Sequence, residues 1–259
     1  MKISIITVCF NSQNTIKTTI LSVLNQSYNN IEYIIVDGGS NDNTLEIIKE
    51  FSNEISCFIS EKDNGIYDAI NKGINIASGD YILILSSNDF FYSNNTIQKI
   101  VDFHTINNCS VSIADVIYCD SKGMISRYYS AKFWKPFLLK LGFMPPHQAS
   151  VIKTSLYKNL GVYSLNYKIA SDYDIFVRFL LDNNIHFQYS NEIRVVMSVG
   201  GISSQGFSSY LLITKEILKI LDNRNNYWFS LFIYLRFVPK IISSLISRIR
   251  YFFMLSLFD

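Results

Sequence analysis

The run Tyr81-Ile82-Leu83-Ile84-Leu85, broken abruptly by Ser86-Ser87-Asn88-Asp89, constrains this chain more than any other stretch. A continuous apolar run of that length, followed by polar breakers, reads as a strand buried on both faces inside a parallel sheet. It is the last of a series. Strand-like runs at 3–10, 31–36, 56–60 and 81–86 alternate with helix-period segments at about 14–25, 43–52, 65–78 and 94–104. In the third helix Ile66, Ala69, Ile70, Gly73 and Ile74 form one stripe. Four strand–helix units in succession predict an α/β fold with a mostly parallel central sheet and right-handed crossovers. Ligands of open α/β sheets bind beyond the carboxyl ends of the strands. The residues there are Asn11-Ser12, Asp37-Gly38-Gly39-Ser40, Asp63-Asn64 and Asn88-Asp89.

The pattern loosens after about residue 108. Residues 111–130 read as one or two strands around Ser121-Lys122-Gly123, and 133–150 as a loop-rich segment around one short helix. A short helix at 155–161 stops at Gly161. An amphipathic helix follows at 172–183, with Ile175, Phe176, Phe179 and Leu180 inward. A strand near 193–199, the Gly200-Gly201 pair and a helix at 207–222 complete this half. Residues 227–258 differ in kind: Phe, Leu, Ile and Tyr interleave with Arg236, Lys240, Arg248 and Arg250. No 18-residue uncharged apolar stretch occurs there, so a spanning helix is not expected. Short helices lying in a membrane interface are the expectation, and core-packing or dimer-forming helices the alternative. The expected division is 1–108, 109–222 and 223–259.

With 49% hydrophobic residues, 259 residues can bury a full core as one domain. A net charge of +2 gives no reason to expect a nucleic-acid partner. The four cysteines are scattered without metal-site spacing, which suits a reduced compartment, with Cys9 and Cys57 expected as buried thiols in strands. Met1-Lys2 runs straight into strand sequence, so no signal peptide is expected.

Four constellations can carry chemistry. Asp37-Gly38-Gly39-Ser40 is either a plain strand–helix turn or an anion site at a helix start. Asp68 and Lys72 share a helix face, as a surface ion pair or with Lys72 reaching a diphosphate. Asp89 either caps a helix or holds a divalent ion against phosphate oxygens; Ser93 and Asn94 could cap without it. Asp172 and Asp174 stand at a helix start, where capping needs only one of them and a general base could be the other. His147, with Gln148 in a Pro-Pro loop, is structural or a substrate contact. A dinucleotide fingerprint is absent.

Together these residues resemble family 2 glycosyltransferases of the GT-A fold. The resemblance rests on Thr7-Val8-Cys9-Phe10-Asn11, Val36 to Thr44, Asp63 to Gly73, Ala77 to Tyr81 and Ser86 to Asp89, in the family's order. Ala170-Ser171-Asp172-Tyr173-Asp174 with Arg178 is similar to the family's base motif. Gly65-Ile66-Tyr67-Asp68-Ala69 and Pro145-Pro146-His147-Gln148 look like bacterial O-antigen, capsule and colanic-acid enzymes. The resemblance implies donor contacts from Val8, Phe10, Asn11, Asp37, Gly39, Ser40, Asp63, Gly65, Ile66, Lys72, Ser87 and Asn88. Within that set Asp37 accepts from the ring N–H of the nucleotide base. It implies Mn2+ or Mg2+ on Asp89, and Asp172 as the base of an inverting transfer. It places His147, Gln148, Ser171 and Asp174 on the acceptor side. It further implies a nucleotide-sugar donor, UDP favoured, while the composition of residues 227–258 adds the expectation of a lipid-linked saccharide acceptor, handled peripherally at the cytoplasmic face of the plasma membrane. Asn88 and Ser171 depart from the pattern, standing where acids are common. No QxxRW motif occurs, which points to single additions rather than processive synthesis. A nucleotidyltransferase would need a Gly-rich loop after strand one, and Asn11-Ser12-Gln13-Asn14 is not one. A scaffold that has lost catalysis is the other alternative.

Overall fold

The computed structural model describes residues 1–120, 123–198, 206–223 and 233. Its first half is strands β1 (Ile3–Cys9), β2 (Ile31–Asp37), β3 (Cys57–Ser60), β4 (Tyr81–Ser86) and β5 (Asp89–Phe91). Helices α1 (Ile16–Leu24), α2 (Thr44–Lys49), α3 (Ile66–Ile76) and α4 (Thr96–Asn107) connect or follow them. Strands β3, β2, β1 and β4 lie side by side and parallel, with Ile3 opposite both Ile31 and Tyr81. The pleat sends alternate residues of β1 to opposite faces. Ile6 and Val8 enter the core shared with Ile70 and Ile74 of α3. Ile3, Ile5 and Cys9 enter the core shared with Ile16 and Ile20 of α1 and Ile97 and Ile100 of α4. Burial on both faces is why the apolar runs of β1, β2 and β4 are long, whereas the edge strand β3 alternates. Helix α3 lies so close to β1 that a Cβ at Gly73 would stand 2.5 Å from Ile6 Cγ2. That contact brings the start of α3 to the carboxyl ends of β1 and β2.

The second half adds β6 (Val111–Cys119), β7 (Ile125–Tyr129), β8 (Val151–Lys153), α5 (Thr154–Leu160), α6 (Ser171–Phe176), β9 (Phe187–Ser198) and α7 (Gly206–Asp222). The sheet runs β3-β2-β1-β4-β8-β6-β9-β5, with β7 paired to β6. Beyond β4 the pairings alternate in sense: β8 and β7 are antiparallel to their neighbours, β9 is parallel to β6, and β5 is antiparallel to β9. The two halves expected from the sequence therefore share one sheet.

Several expectations are corrected. The helix expected at 172–183 changes at Val177 to a π-helical turn through Asp182. The last strand starts at Phe187 rather than near 193. The single short helix expected within 133–150 is two 3-10 turns, Pro136–Leu141 and His147–Ala149. Cys57 is partly exposed, because β3 is an edge strand with alternating burial, and all four cysteines are free thiols. The interfacial helices expected over 223–259 lie outside the described residues except for Asn223 and Ile233. Ile233 is buried in the core that holds Ile217, Ile220 and Leu221 of α7. Among the described residues no helix is long and apolar enough to cross a membrane.

Candidate active site

The loops leaving β1, β2 and β4 are tied into one cradle. Asn11 N donates to Ser40 Oγ (2.8 Å), and Asn11 Oδ1 accepts from Asn41 N (2.9 Å). Ser12 N donates to Thr44 Oγ1 (2.7 Å), and the Ser12 and Ser87 hydroxyls lie 2.7 Å apart. Ser87 N donates to the Val8 carbonyl (3.2 Å). Asn11 adopts a left-handed φ of 48°, a conformation asparagine tolerates better than most residues. Phe10 is thereby left 58% exposed at the cradle's rim, where an aromatic face can stack on a planar ring.

Asp37 anchors the turn between β2 and α2. Its side chain is fully buried. Oδ2 accepts from Gly39 N (3.0 Å), Ser40 N (3.0 Å) and Ser60 Oγ (2.8 Å), and Oδ1 accepts from Ser40 Oγ. Both oxygens accept within the turn, so the carboxylate builds the cradle. Asp37→Asn turns an amide donor toward these donors. It should destabilise the fold by about 2–3 kcal/mol, read as a Tm several degrees lower in thermal melts. A Tm within a degree of wild type would refute this. Val8 is likewise a core residue whose backbone carbonyl alone faces the site. Ser40 is spent on Asp37 and Asn11.

The carboxylate that does face the cradle is Asp63. Oδ1 accepts from Gly65 N (2.8 Å), and Oδ2 lies against Gly38, where a Cβ would stand only 2.3 Å away. Glycine at position 38 makes room for it. Asp63 is partly exposed, and Gly65 and Ile66 beside it are exposed. Lys72 is paired, 2.8 Å from Glu61 and 3.7 Å from Asp68, so the ion-pair alternative describes it here.

Asp89 begins β5 instead of trailing β4, and it is 2% exposed. Burial pushes its carboxyl up to about 7, and its Oδ1 has no hydrogen-bond partner. An orphaned buried carboxylate oxygen fits a divalent cation, which would keep the group ionised. Among the described residues no cluster of three His, Cys, Asp or Glu could complete such a site. Asn88 is half-buried next to it, and its carbonyl accepts from Ser198 Oγ (2.7 Å) at the end of β9.

On the other side of α3 stands Asp172, in the first turn of α6. Its Oδ1 accepts from Tyr173 N (2.8 Å) and from the Tyr67 hydroxyl (3.3 Å). Its enclosed surroundings push its carboxyl up to about 6. Tyr67 also donates to the Ile169 carbonyl (2.5 Å). Glu216 of α7 accepts from three successive amides, Lys168 N (2.7 Å), Ile169 N (3.0 Å) and Ala170 N (2.9 Å). Asn71 exchanges two hydrogen bonds with the Tyr163 backbone (2.8 and 2.9 Å). The segment that delivers Asp172 is thus held by α3 on one side and α7 on the other. Tyr67, Asn71 and Glu216 escaped the sequence reading. Tyr67 stands outside the apolar stripe of its helix, and its partner lies 105 residues away.

The other residues expected on the acceptor side are largely enclosed. Asp174 lies two residues, about 200° of helix, from Asp172. It is 5% exposed and pairs with Arg178 Nε (2.8 Å). Ser171 is fully buried. His147 is buried, its Nε2 2.5 Å from the Tyr163 hydroxyl, and burial lowers its pKa to about 4, so it is a neutral core histidine. Gln148 beside it is half-buried.

Comparison with known proteins adds the following. The family model described as Glycosyl transferase family 2 matches residues 4–159. A PGL/p-HBAD biosynthesis glycosyltransferase of Mycobacterium tuberculosis is 28% identical over 228 residues, 86% of this chain and 85% of its own length. An uncharacterized glycosyltransferase of the same species is 30% identical over 192 residues, 68% of each chain. Among solved structures, residues 1–349 of S. aureus TarS in complex with UDP-GlcNAc match with a TM-score of 0.70 and 18% identity, over 92% of this chain and 73% of that one. The mannosyltransferase PcManGT from Pyrobaculum calidifontis, in complex with GDP-Man and Mn2+, matches at 0.62 and 11%, over 97% of this chain and 80% of that one. At these identities the structural likeness is one of fold, and the fold is GT-A.

Proposed function

The chain belongs to glycosyl transferase family 2, and on that premise we propose an inverting transfer from a nucleotide-diphospho-sugar to an acceptor hydroxyl. The observation that carries the reading is Asp172: a half-buried carboxyl raised to about 6, held by Tyr67 from the helix that opens at the Asp63 loop. A base of that acidity is ionised at neutral pH yet basic enough to take a proton.

In this scheme Phe10 stacks on the nucleotide base and Asp63 accepts from it, while the Asn11, Gly39 and Ser87 backbone shapes the cradle. Asp89 is the residue that would hold Mn2+ or Mg2+ against the diphosphate, where the cation supplies charge stabilisation to the leaving group. Asp172 takes the acceptor hydroxyl proton as the oxygen attacks the anomeric carbon. The C–O bond to the diphosphate breaks with the electron pair leaving on the nucleotide. The half containing residues 1–108 binds the donor, and the half containing 109–222 binds the acceptor. UDP is the favoured nucleotide, and the TarS complex with UDP-GlcNAc supports that choice. The composition of 227–258 supports a lipid-linked acceptor at the cytoplasmic face of the plasma membrane.

Calorimetry with UDP, GDP, dTDP and ADP, each with and without Mn2+, tests the donor site. One nucleotide, expected to be UDP, should bind more tightly with the metal. Binding of none of them would favour the degenerate scaffold instead. A second expectation concerns Tyr67. Its hydrogen bond favours the ionised form of Asp172, so Tyr67→Phe should move the acid limb of the kcat profile to higher pH. The rate on the high-pH plateau should stay nearly unchanged. A pH–rate profile with an unmoved acid limb would detach Tyr67 from the base.

A further inference from the structure

Residues 121–171 contain eight lysines and arginines and not one aspartate or glutamate. The whole chain is only +2, so the rest of it is net acidic. Positive charge is therefore concentrated in the half that also carries Asp172. Within this span, Lys132 to Phe143 form a compact loop. The Trp134 indole donates to the Phe143 carbonyl (3.0 Å) and closes it, while Trp134 and Leu139 are buried beneath. The Tyr173 hydroxyl donates to the Leu139 carbonyl, which fixes the loop to the residue after Asp172. The loop's outer residues are unlike an ordinary soluble surface. Phe133 is 83% exposed, Phe137 52% and Phe143 38%. Lys132 and Lys135 are exposed beside them, with the Lys132 ammonium 5.7 Å from the Phe133 ring centroid.

Burying three phenylalanine rings would gain hydrophobic free energy that water denies them. Aromatic rings with lysines beside them match the boundary between acyl chains and anionic headgroups, where rings enter and ammonium groups stay at the surface. We propose that the loop 132–143 docks on an anionic lipid bilayer, with Phe133 and Phe137 entering the headgroup layer, and so holds the Asp172 end of α6 at the membrane surface. The inference deepens the lipid-linked acceptor reading and rests on it, but it assigns membrane contact to residues 132–143 and not to 227–258. A soluble polyanion would use the lysines and leave the rings unexplained.

The test uses the full chain and sedimentation with vesicles of phosphatidylcholine alone or with one-third phosphatidylglycerol. Wild type should bind the anionic vesicles preferentially. Lys132→Glu/Lys135→Glu and Phe133→Ser/Phe137→Ser should each lower the partition coefficient about tenfold or more. Phe133→Trp in a Trp228→Phe background, read as the difference from Trp228→Phe alone, in which Trp134 is the one remaining indole, should add blue-shifted emission that brominated phosphatidylcholine quenches in the anionic vesicles. Sedimentation without quenching at position 133 and with unchanged partition of both double variants would assign all contact to other residues and overturn the proposal. So would no vesicle binding at all, or phenylalanine variants that partition as wild type while only the lysine variants lose vesicle binding. UDP calorimetry on the same samples reports the donor site separately, so failure of docking and failure of the transferase reading are distinguishable.

Discussion

Asp172→Asn is expected to lower kcat by about three orders of magnitude while leaving nucleotide affinity within a factor of about two, the range a lost general base produces. The substitution is nearly isosteric. The asparagine Oδ1 can still accept from Tyr173 N and from Tyr67, the two bonds that Asp172 Oδ1 accepts now. Glu216 continues to hold the amides of residues 168–170. What disappears is the capacity to take a proton from the acceptor. Turnover by stopped assay, set beside nucleotide calorimetry on the same protein, separates the two quantities. A fall of less than tenfold would remove Asp172 from the reaction and return the residue to helix capping.

Asp89→Asn should weaken metal-dependent nucleotide binding by about 100-fold or more, since loss of a ligand costs at least as much as loss of the groups that orient one. It should also change stability in the opposite direction. The Asp89 carboxyl is raised to about 7 in the folded protein against 3.8 ordinarily, because it is desolvated. The folded state therefore keeps a proton that the unfolded chain releases between about pH 4 and 7. Stability is full below that window and declines as pH rises through it. Asparagine carries no such proton, so without metal the variant should lose this decline and melt higher than wild type at pH 8. Thermal melts across pH 4 to 9 read this directly. Wild type with UDP and Mn2+ should regain stability at high pH, and the variant should not. A variant that melts lower than wild type at pH 8 without metal would mean that the carboxylate is stabilising where it lies.

Much of the donor half was legible because its strands are buried on both faces. Such strands leave uninterrupted apolar runs, and Tyr81–Ser86 begins and ends where the sequence pattern does. The strands β5 and β8 were not legible. Three residues hold no periodicity, and each exists because a distant partner supplies its ladder, Val195 to Met197 for β5 and Val111 and Ser112 for β8. The π-helical turn after Phe176 keeps an apolar stripe close to that of an α-helix, which hid it. The candidate site divides in the same way. Residue types at strand ends announced the cradle, but the sequence cannot say which of several carboxylates is satisfied. Asp37 and Asp63 each sit beside glycines, and only their hydrogen bonds and burial separate the enclosed carboxylate from the partly exposed one. Spacing alone left Asp172 and Asp174 equally eligible and only the family resemblance chose Asp172; in the fold Asp174 pairs with Arg178. Tyr67 and Glu216, which grip the segment before Asp172, are contacts between remote parts of the chain, and no local pattern signals them.

The measurement closest to the central claim needs no knowledge of the natural acceptor. With the nucleotide sugar that binds, an α-linked donor, slow hydrolysis lets water stand in for the acceptor hydroxyl. Early proton NMR spectra, taken before the released sugar mutarotates, report its anomeric configuration. Inverting transfer with Asp172 as base predicts that the β-anomer appears first and that Asp172→Asn abolishes its formation. Release of the α-anomer first would contradict the mechanism.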